Sequence, residues 1–143
     1  MVTINKDLFD FPVTISDEEF KSATGLDLKE ELSVEQDVEV QKWLNAAHDS
    51  VYNRIYRVGG KTFKNRIINA HIEYLTKPIK RAVIAQLEYM LDANGDYGVT
   101  DGSNTNADGQ LVVANPEQIA SKILAPKVVE ILKGARPNLL MGD

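Results

Sequence analysis

The chain contains no cysteine, which excludes disulfides, thiolate metal sites and cysteine nucleophiles together and fits maturation in a reducing compartment. It has only two histidines, His48 and His71, and neither has a second histidine at metal-binding spacing. Positive charge is also short: 16 Lys and Arg stand against 21 Asp and Glu, a net charge of −5 at pH 7. Phosphate neutralisation supplies most of the affinity of proteins for nucleic acid, so an acidic chain is poorly suited to tight DNA binding. An acidic surface beside DNA would instead repel the backbone and leave it free to slide. No run approaches the roughly 18 apolar residues of a membrane span. The segment MVTINKDLFDFPVTISDEEF has neither the basic n-region nor the apolar h-region of a signal peptide. These absences lead to the expectation of a soluble chain made in the cytoplasm. What is present suits one globular domain: 143 residues, 43% of them apolar and 26% charged, enough for one hydrophobic core and too few for two.

The pattern is helical almost throughout. Residues 1–15 read as an extended arm carrying Val2, Ile4, Leu8, Phe9, Phe11, Val13 and Ile15 around Pro12; aromatics of this kind call for packing or a partner. Ser16-Asp17-Glu18-Glu19 is a capping box, and Gly25 is the expected left-handed stop. Ser33-Val34-Glu35-Gln36 reads as a second capping box, opening a long helix. Its stripe Val40, Leu44, Ala47, Val51, Ile55 and Val58, widened by Trp43, ends at Gly59–Gly60. Residues 62–75 keep helical spacing (Phe63, Ile67, Ala70/His71, Tyr74). Pro78 is then expected to start a helix, its missing N–H being harmless in a first turn, with Ile79, Ala82, Val83, Gln86, Leu87 and Met90 on the buried face.

From 93 to 115 the composition turns to Gly, Asn, Asp and Thr, the signature of a long polar loop. Tyr97–Thr100 and Gln110–Val113 could pair there as a short hairpin. Asn115-Pro116-Glu117-Gln118 opens a helix through Leu124, interrupted at Ala125–Pro126. Pro126 starts a last helix, with Val128, Val129, Ile131 and Leu132 apolar and Gly134 as the stop. The expectation is an all-α bundle of about four to five helices over residues 16–135, with an arm (1–15), the loop (93–115) and a tail (136–143). Its core includes Val40, Leu44, Val51, Ile55, Ile79, Val83 and Leu87.

Catalytic and metal-site patterns fail one by one. Asp92-Ala93-Asn94-Gly95-Asp96 begins like a calcium loop, but the sixth position is Tyr97 instead of Gly and the twelfth is Ser103 instead of a bidentate Glu. His48, beside Asp49, and His71, near Glu73, read as surface or half-buried polar residues. No serine lies in a G-x-S-x-G elbow or an S-x-x-K arrangement with its partner motifs. Gly59-Gly60-Lys61-Thr62 follows a helix where a phosphate loop follows a strand, so it reads as a turn. The expectation is therefore no enzyme, no cofactor and no metal. Charge is unevenly distributed: acids concentrate before position 40 (Glu18, Glu30, Glu31 and Glu35 among them) and bases between 54 and 81 (Lys61, Lys64 and Arg66 among them). Either these are ordinary solvated helix faces, or the subunit has one acidic and one basic side suited to head-to-tail packing.

Taken in order, Phe20 with Thr24-Gly25, the helix face LNAAHDSVYNRI (Leu44–Ile55), the run PIKRAVIAQLEYML from Pro78 and the terminal Ile119-Ala120, Ile123 to Pro126 and Ile131-Leu132 resemble the head–tail connector (adaptor) proteins of tailed bacteriophages. Phe20 with Thr24-Gly25 looks like their F-x-x-x-T-G lead-in, and Leu44–Ile55 (LNAAHDSVYNRI) resembles the small-residue helix face that follows. Pro78, Arg81, Ala82, Val83, Gln86 and Tyr89, in PIKRAVIAQLEYML, are similar to their central helix. A Gly-rich loop follows, and Ile119-Ala120, Ile123 to Pro126 and Ile131-Leu132 resemble their terminal helices. The match spans 16 to 135, with residues 61–75 longer and more basic than the pattern.

This resemblance implies a structural virion protein of the neck, made in the host cytoplasm: a ring of twelve copies below the portal that extends the DNA channel. DNA would pass without sequence-specific binding and no membrane would be involved. The implied partners are other copies, the portal protein and a downstream neck or tail-completion protein. On this reading the tail docks the portal through Arg136, Leu139, Leu140 and Met141, and the loop meets the next ring through Tyr97, Val99, Leu111 and Val112. Two other readings stay open. One is a stopper or tail-completion protein, a class that tends to be β-rich. The other is a small acidic helical regulatory or host-interaction protein, dimeric and with salt-sensitive DNA binding if it reads an operator.

Overall fold

The computed structural model describes residues 1–55, 60–100 (side chains only to 92) and 124–140. Among the described residues there are six helices and no strand, so the chain is a small all-α protein. Helix α1, Asp17–Thr24, begins as its sequence dictates. The Ser16 Oγ accepts from the Glu19 N–H while the Glu19 carboxylate accepts from the Ser16 N–H, a complete capping box, and Gly25 closes the helix at φ 79°.

The next two elements depart from expectation. Asp27 caps a five-residue helix, α2 (Leu28–Leu32), by accepting from the Lys29 N–H, and Ser33 closes it in the left-handed conformation at φ 54°. Ser33 is therefore a helix end, and its apparent capping box is unused. The long helix α3 starts later, at Asp37–Arg54, with Gln36 as a cap that makes no side-chain bond. Two acids in its first turn, Asp37 and Glu39, suit the helix dipole in place of the cap. The helix ends at Ile55, short of the expected glycine pair; residues 56–59 lie outside the described set.

Helix α4, Gly60–Ala70, and helix α5, Ile72–Thr100, are separated by a single turn residue, His71. Pro78 does not start a helix: it lies inside α5. An interior proline deprives the carbonyl four residues back of its donor; here that residue is Tyr74, 67% exposed and on the wet side of the helix. The Thr76 hydroxyl donates to the Ile72 carbonyl one turn earlier (2.6 Å). Because α5 reaches Thr100, the expected loop boundary at Ala93 and the hairpin partner Tyr97–Thr100 are helical instead. The other hairpin partner and most of the helix expected from Pro116 fall outside the described residues, while Leu124 is non-helical. The last helix, α6, runs Pro126–Gly134 with proline at its start.

Helix α5 is the spine, packed against both α3 and α6. Its inward positions Leu75, Ile79, Ala82, Val83, Gln86, Leu87 and Met90 recur at steps of three and four and are all fully buried. Val40, Leu44, Val51 and Ile55 of α3 and its cap meet them with no exposed surface. From α6 come Val128 and Leu132, and beyond it Leu139 and Leu140, 0% and 3% exposed. Full burial of one such side chain contributes roughly 1.5–3 kcal/mol. Gln86, the polar member of the α5 face, accepts from the Ala125 N–H at 2.9 Å and so fixes where α6 begins. After a cis Arg136–Pro137 bond the tail turns back, and the Leu139 N–H donates to the Leu132 carbonyl (3.1 Å).

Candidate interaction surfaces

The most extensively bonded feature outside the helices is the segment before α1, read by one face of α3. Its ends meet: Asp17 N–H donates to the Val2 carbonyl (3.0 Å), and the Val2 N–H donates to the Asp17 carboxylate (2.8 Å). Residues 2–17 therefore form a closed Ω-loop. Gln41, Asn45, His48 and Tyr52 lie at i, i+4, i+7 and i+11 on α3, a single helical row. Gln41 Nε2 donates to Thr3 O (3.0 Å), and Asn45 Oδ1 accepts from Asn5 N–H (2.9 Å). On the return leg the Tyr52 hydroxyl accepts from Val13 N–H (3.0 Å) and donates to Val13 O (2.9 Å). His48 Nε2 accepts from Ile15 N–H at 3.0 Å. Val2, Ile4, Val13 and Ile15 are buried beneath, so of the two expectations for the arm, packing or a partner, the structure shows packing into the core.

These bonds fix the chemistry of His48. Because Ile15 supplies a donor, Nε2 must be the unprotonated nitrogen, and Nδ1–H donates to the Leu44 carbonyl at 2.7 Å. Burial penalises the imidazolium and lowers the pKa to about 4, although the Leu44 carbonyl and Glu19 favour the charged form. The expectation of a surface or half-buried histidine is corrected: its exposure is 0%. Burial likewise pushes the Tyr52 phenol well above its ordinary range, leaving it a neutral donor and acceptor. Phe11 stacks on Tyr52 (centroids 4.1 Å apart, planes 8° apart), and the Lys61 ammonium lies 5.4 Å from the Phe11 ring centre. A sequence signal did exist for this site: four polar or amphipathic residues in one helical row beside the apolar stripe.

The described part of the expected contact set is small. Arg136 is exposed, but Leu139 and Leu140 are core residues, which removes them as exposed anchors; Met141 lies outside the described residues. Tyr97 and Val99 lie on the last turns of α5, and Leu111 and Val112 fall outside the described set.

One ion pair joins the acidic and basic stretches, Lys80 with Glu19 (2.7 Å), while Lys29 with Asp37 (2.6 Å) and Lys42 with Glu39 (3.6 Å) pair in or beside the acidic stretch. The Lys29–Asp37 contact raises the lysine pKa and lowers that of the aspartate, chiefly through its hydrogen bond. Exposed pairs of this kind stabilise little.

Surface grooves of two kinds lie among the described residues. One, of about 610 Å³, lies between the loop tip and α4 and is lined by Asp10, Pro12, Thr62, Asn65, Arg66 and Asn69. There Asn65 Nδ2 donates to Asp10 O (2.8 Å), leaving its Oδ1 buried with no partner among the described residues. The other kind comprises two shallow hollows along α5 and α6, of about 320 and 370 Å³, which share Arg81, Lys127 and Ile131. Among the described residues no group of three or more His, Asp or Glu could hold a metal ion, and no helix is long and apolar enough to cross a membrane. No family model matches the chain, and neither a curated protein nor a solved structure shows significant similarity to it.

Proposed function

We propose that the chain is a structural subunit of a bacteriophage neck, an adaptor that forms a ring between the portal and the next head-completion or tail protein. The observation carrying this reading is the place of the motif from Pro78 to Tyr89. It lies within the spine helix α5, after α1–α3 and before the proline-started α6, and this sequence of elements supports the reading. An all-helical subunit also agrees better with an adaptor than with the β-rich stopper class. Thr24 and Gly25, which look like the end of the family's F-x-x-x-T-G lead-in, lie where α1 closes. The net charge of −5 suits a channel part that DNA passes without being gripped.

On this reading the subunit works by shape and charge, with no chemical step. The test is to identify a portal gene in the same genome, express the chain with that portal protein and image the purified portal by negative stain. A second coaxial ring on the portal is the expected result. Portals that remain bare at saturating subunit concentration would refute the proposal.

A further inference from the structure

The uneven charge of the sequence becomes a geometric property once internal ion pairs are subtracted. Helix α2 packs against α3, and the Lys29–Asp37 contact joins it to the first turn of that helix. There Glu30, Glu31 and Glu35 are exposed and make no ion pair among the described residues. The opposite end of α3 carries α4: Tyr52, in the last turns of α3, stacks on Phe11, over which Lys61 lies, and Asn65 holds the Asp10 carbonyl. Helix α4 contains Lys61, Lys64 and Arg66 and no acidic residue. The α3 helix has 18 residues and is therefore about 27 Å long, some three Debye lengths at physiological salt. One molecule cannot bring its own two poles together. Two copies can.

Each pole also offers apolar surface. Val38, in the first turn of α3, is 50% exposed beside the acids, and Phe63 of α4 is 43% exposed among the bases. Apolar contact surrounded by complementary charge is the usual anatomy of a specific interface.

We propose that the α2 end of one copy docks on the α4 face of another, Glu30, Glu31 and Glu35 facing Lys61, Lys64 and Arg66. The contact is heterologous, joining different patches on the two copies, and such contacts propagate into closed rings or open filaments. It rests on the ring reading above and supplies that ring with a subunit interface.

Charge reversal tests it. E30K/E31K/E35K makes both poles basic, and K61E/K64E/R66E makes both acidic. By sedimentation velocity, the unaltered chain should self-associate at low ionic strength, with association about tenfold weaker near physiological salt. Each variant alone should sediment as a monomer, and an equimolar mixture of the two should associate again. The glutamate variant alters only exposed side chains, so its result stands even if changes around Lys61 and Lys64 disturb folding, which circular dichroism reports.

The proposal is overturned if the unaltered chain stays monomeric at low salt, or if the glutamate variant associates as the unaltered chain does. It is also overturned if the α4 variant loses only binding to added duplex DNA and keeps its self-association. Stacking on the portal is scored separately. A chain that forms rings on portals without this charge dependence refutes the contact and leaves the adaptor reading intact.

Discussion

Lowering the pH from 7 to 5 should destabilise this protein through one residue, His48. In the folded chain its Nε2 accepts from Ile15 N–H in a site with no solvent exposure, and its pKa is lowered to about 4. In the unfolded chain it titrates near the ordinary 6.5. Below 6.5 the unfolded chain takes up a proton that the folded chain refuses until about pH 4. The contribution is therefore complete above 6.5, lost progressively as pH falls towards 4, and constant below that. A gap of this size is worth roughly 3 kcal/mol in full, of which about 2 kcal/mol disappears between pH 7 and 5.

The structural cause is direct. A proton on Nε2 turns an acceptor into a donor aimed at another donor, so the return leg of the Ω-loop must leave α3. Urea unfolding followed by the fluorescence of Trp43, itself 5% exposed, measures the effect at a series of pH values. His48→Gln carries no titrating group and should show a correspondingly flatter pH dependence, whatever its stability at pH 7. Equal slopes for the two chains between pH 7 and 5, or stability rising as pH falls through that window, would refute the reasoning.

Other substitutions probe the same scaffold. Tyr52→Phe removes both bonds to Val13 and leaves its N–H and carbonyl buried, which should cost about 1–3 kcal/mol in chemical denaturation and loosen the Ω-loop to hydrogen exchange. Gln86→Leu keeps an α5 core position filled but strands the Ala125 N–H, so a loss of about 1–3 kcal/mol should concentrate in exchange protection of α6. Ser33→Gly should be neutral or stabilising by up to about 1 kcal/mol in thermal melts, because φ 54° strains a side chain and suits glycine. Leu139→Ala should cost about 2–5 kcal/mol, the penalty of a core cavity; a change within error would return the tail to the surface.

Much of the fold was legible because it rests on periodicity and local chemistry. The α1 box, the Gly25 stop, the α3 and α5 stripes and the Pro126 start are each decided by a few neighbouring residues. The misplaced boundaries share another cause. Ser33 carries a capping-box pattern, but Asp27 nucleates a shorter helix upstream, and five residues are too few to show a period. Pro78 fits a first helical position on local rules, yet burial of Leu75 and Ile79 on the same face draws the preceding turn into α5. His48 was misjudged because its partners are backbone groups 33 residues away and within its own helix, which no sequence pattern displays.

The tail that reads as a docking piece proves to be structural, and the arm, whose aromatics call for packing or a partner, is packed. The Ω-loop is tied to α3 by five hydrogen bonds from four side chains and closed on itself at Val2 and Asp17. The tail brings Leu139 and Leu140 into the core formed with α6. A partner using those leucines as anchors would first have to extract them, at roughly 1.5–3 kcal/mol each, before gaining any contact. Deleting residues 136–143 would therefore confuse lost docking with lost stability. If the chain is the proposed adaptor, reversing the exposed charge at Arg136 keeps the core and probes docking alone, so it is the change to compare with Leu139→Ala in a portal-binding assay.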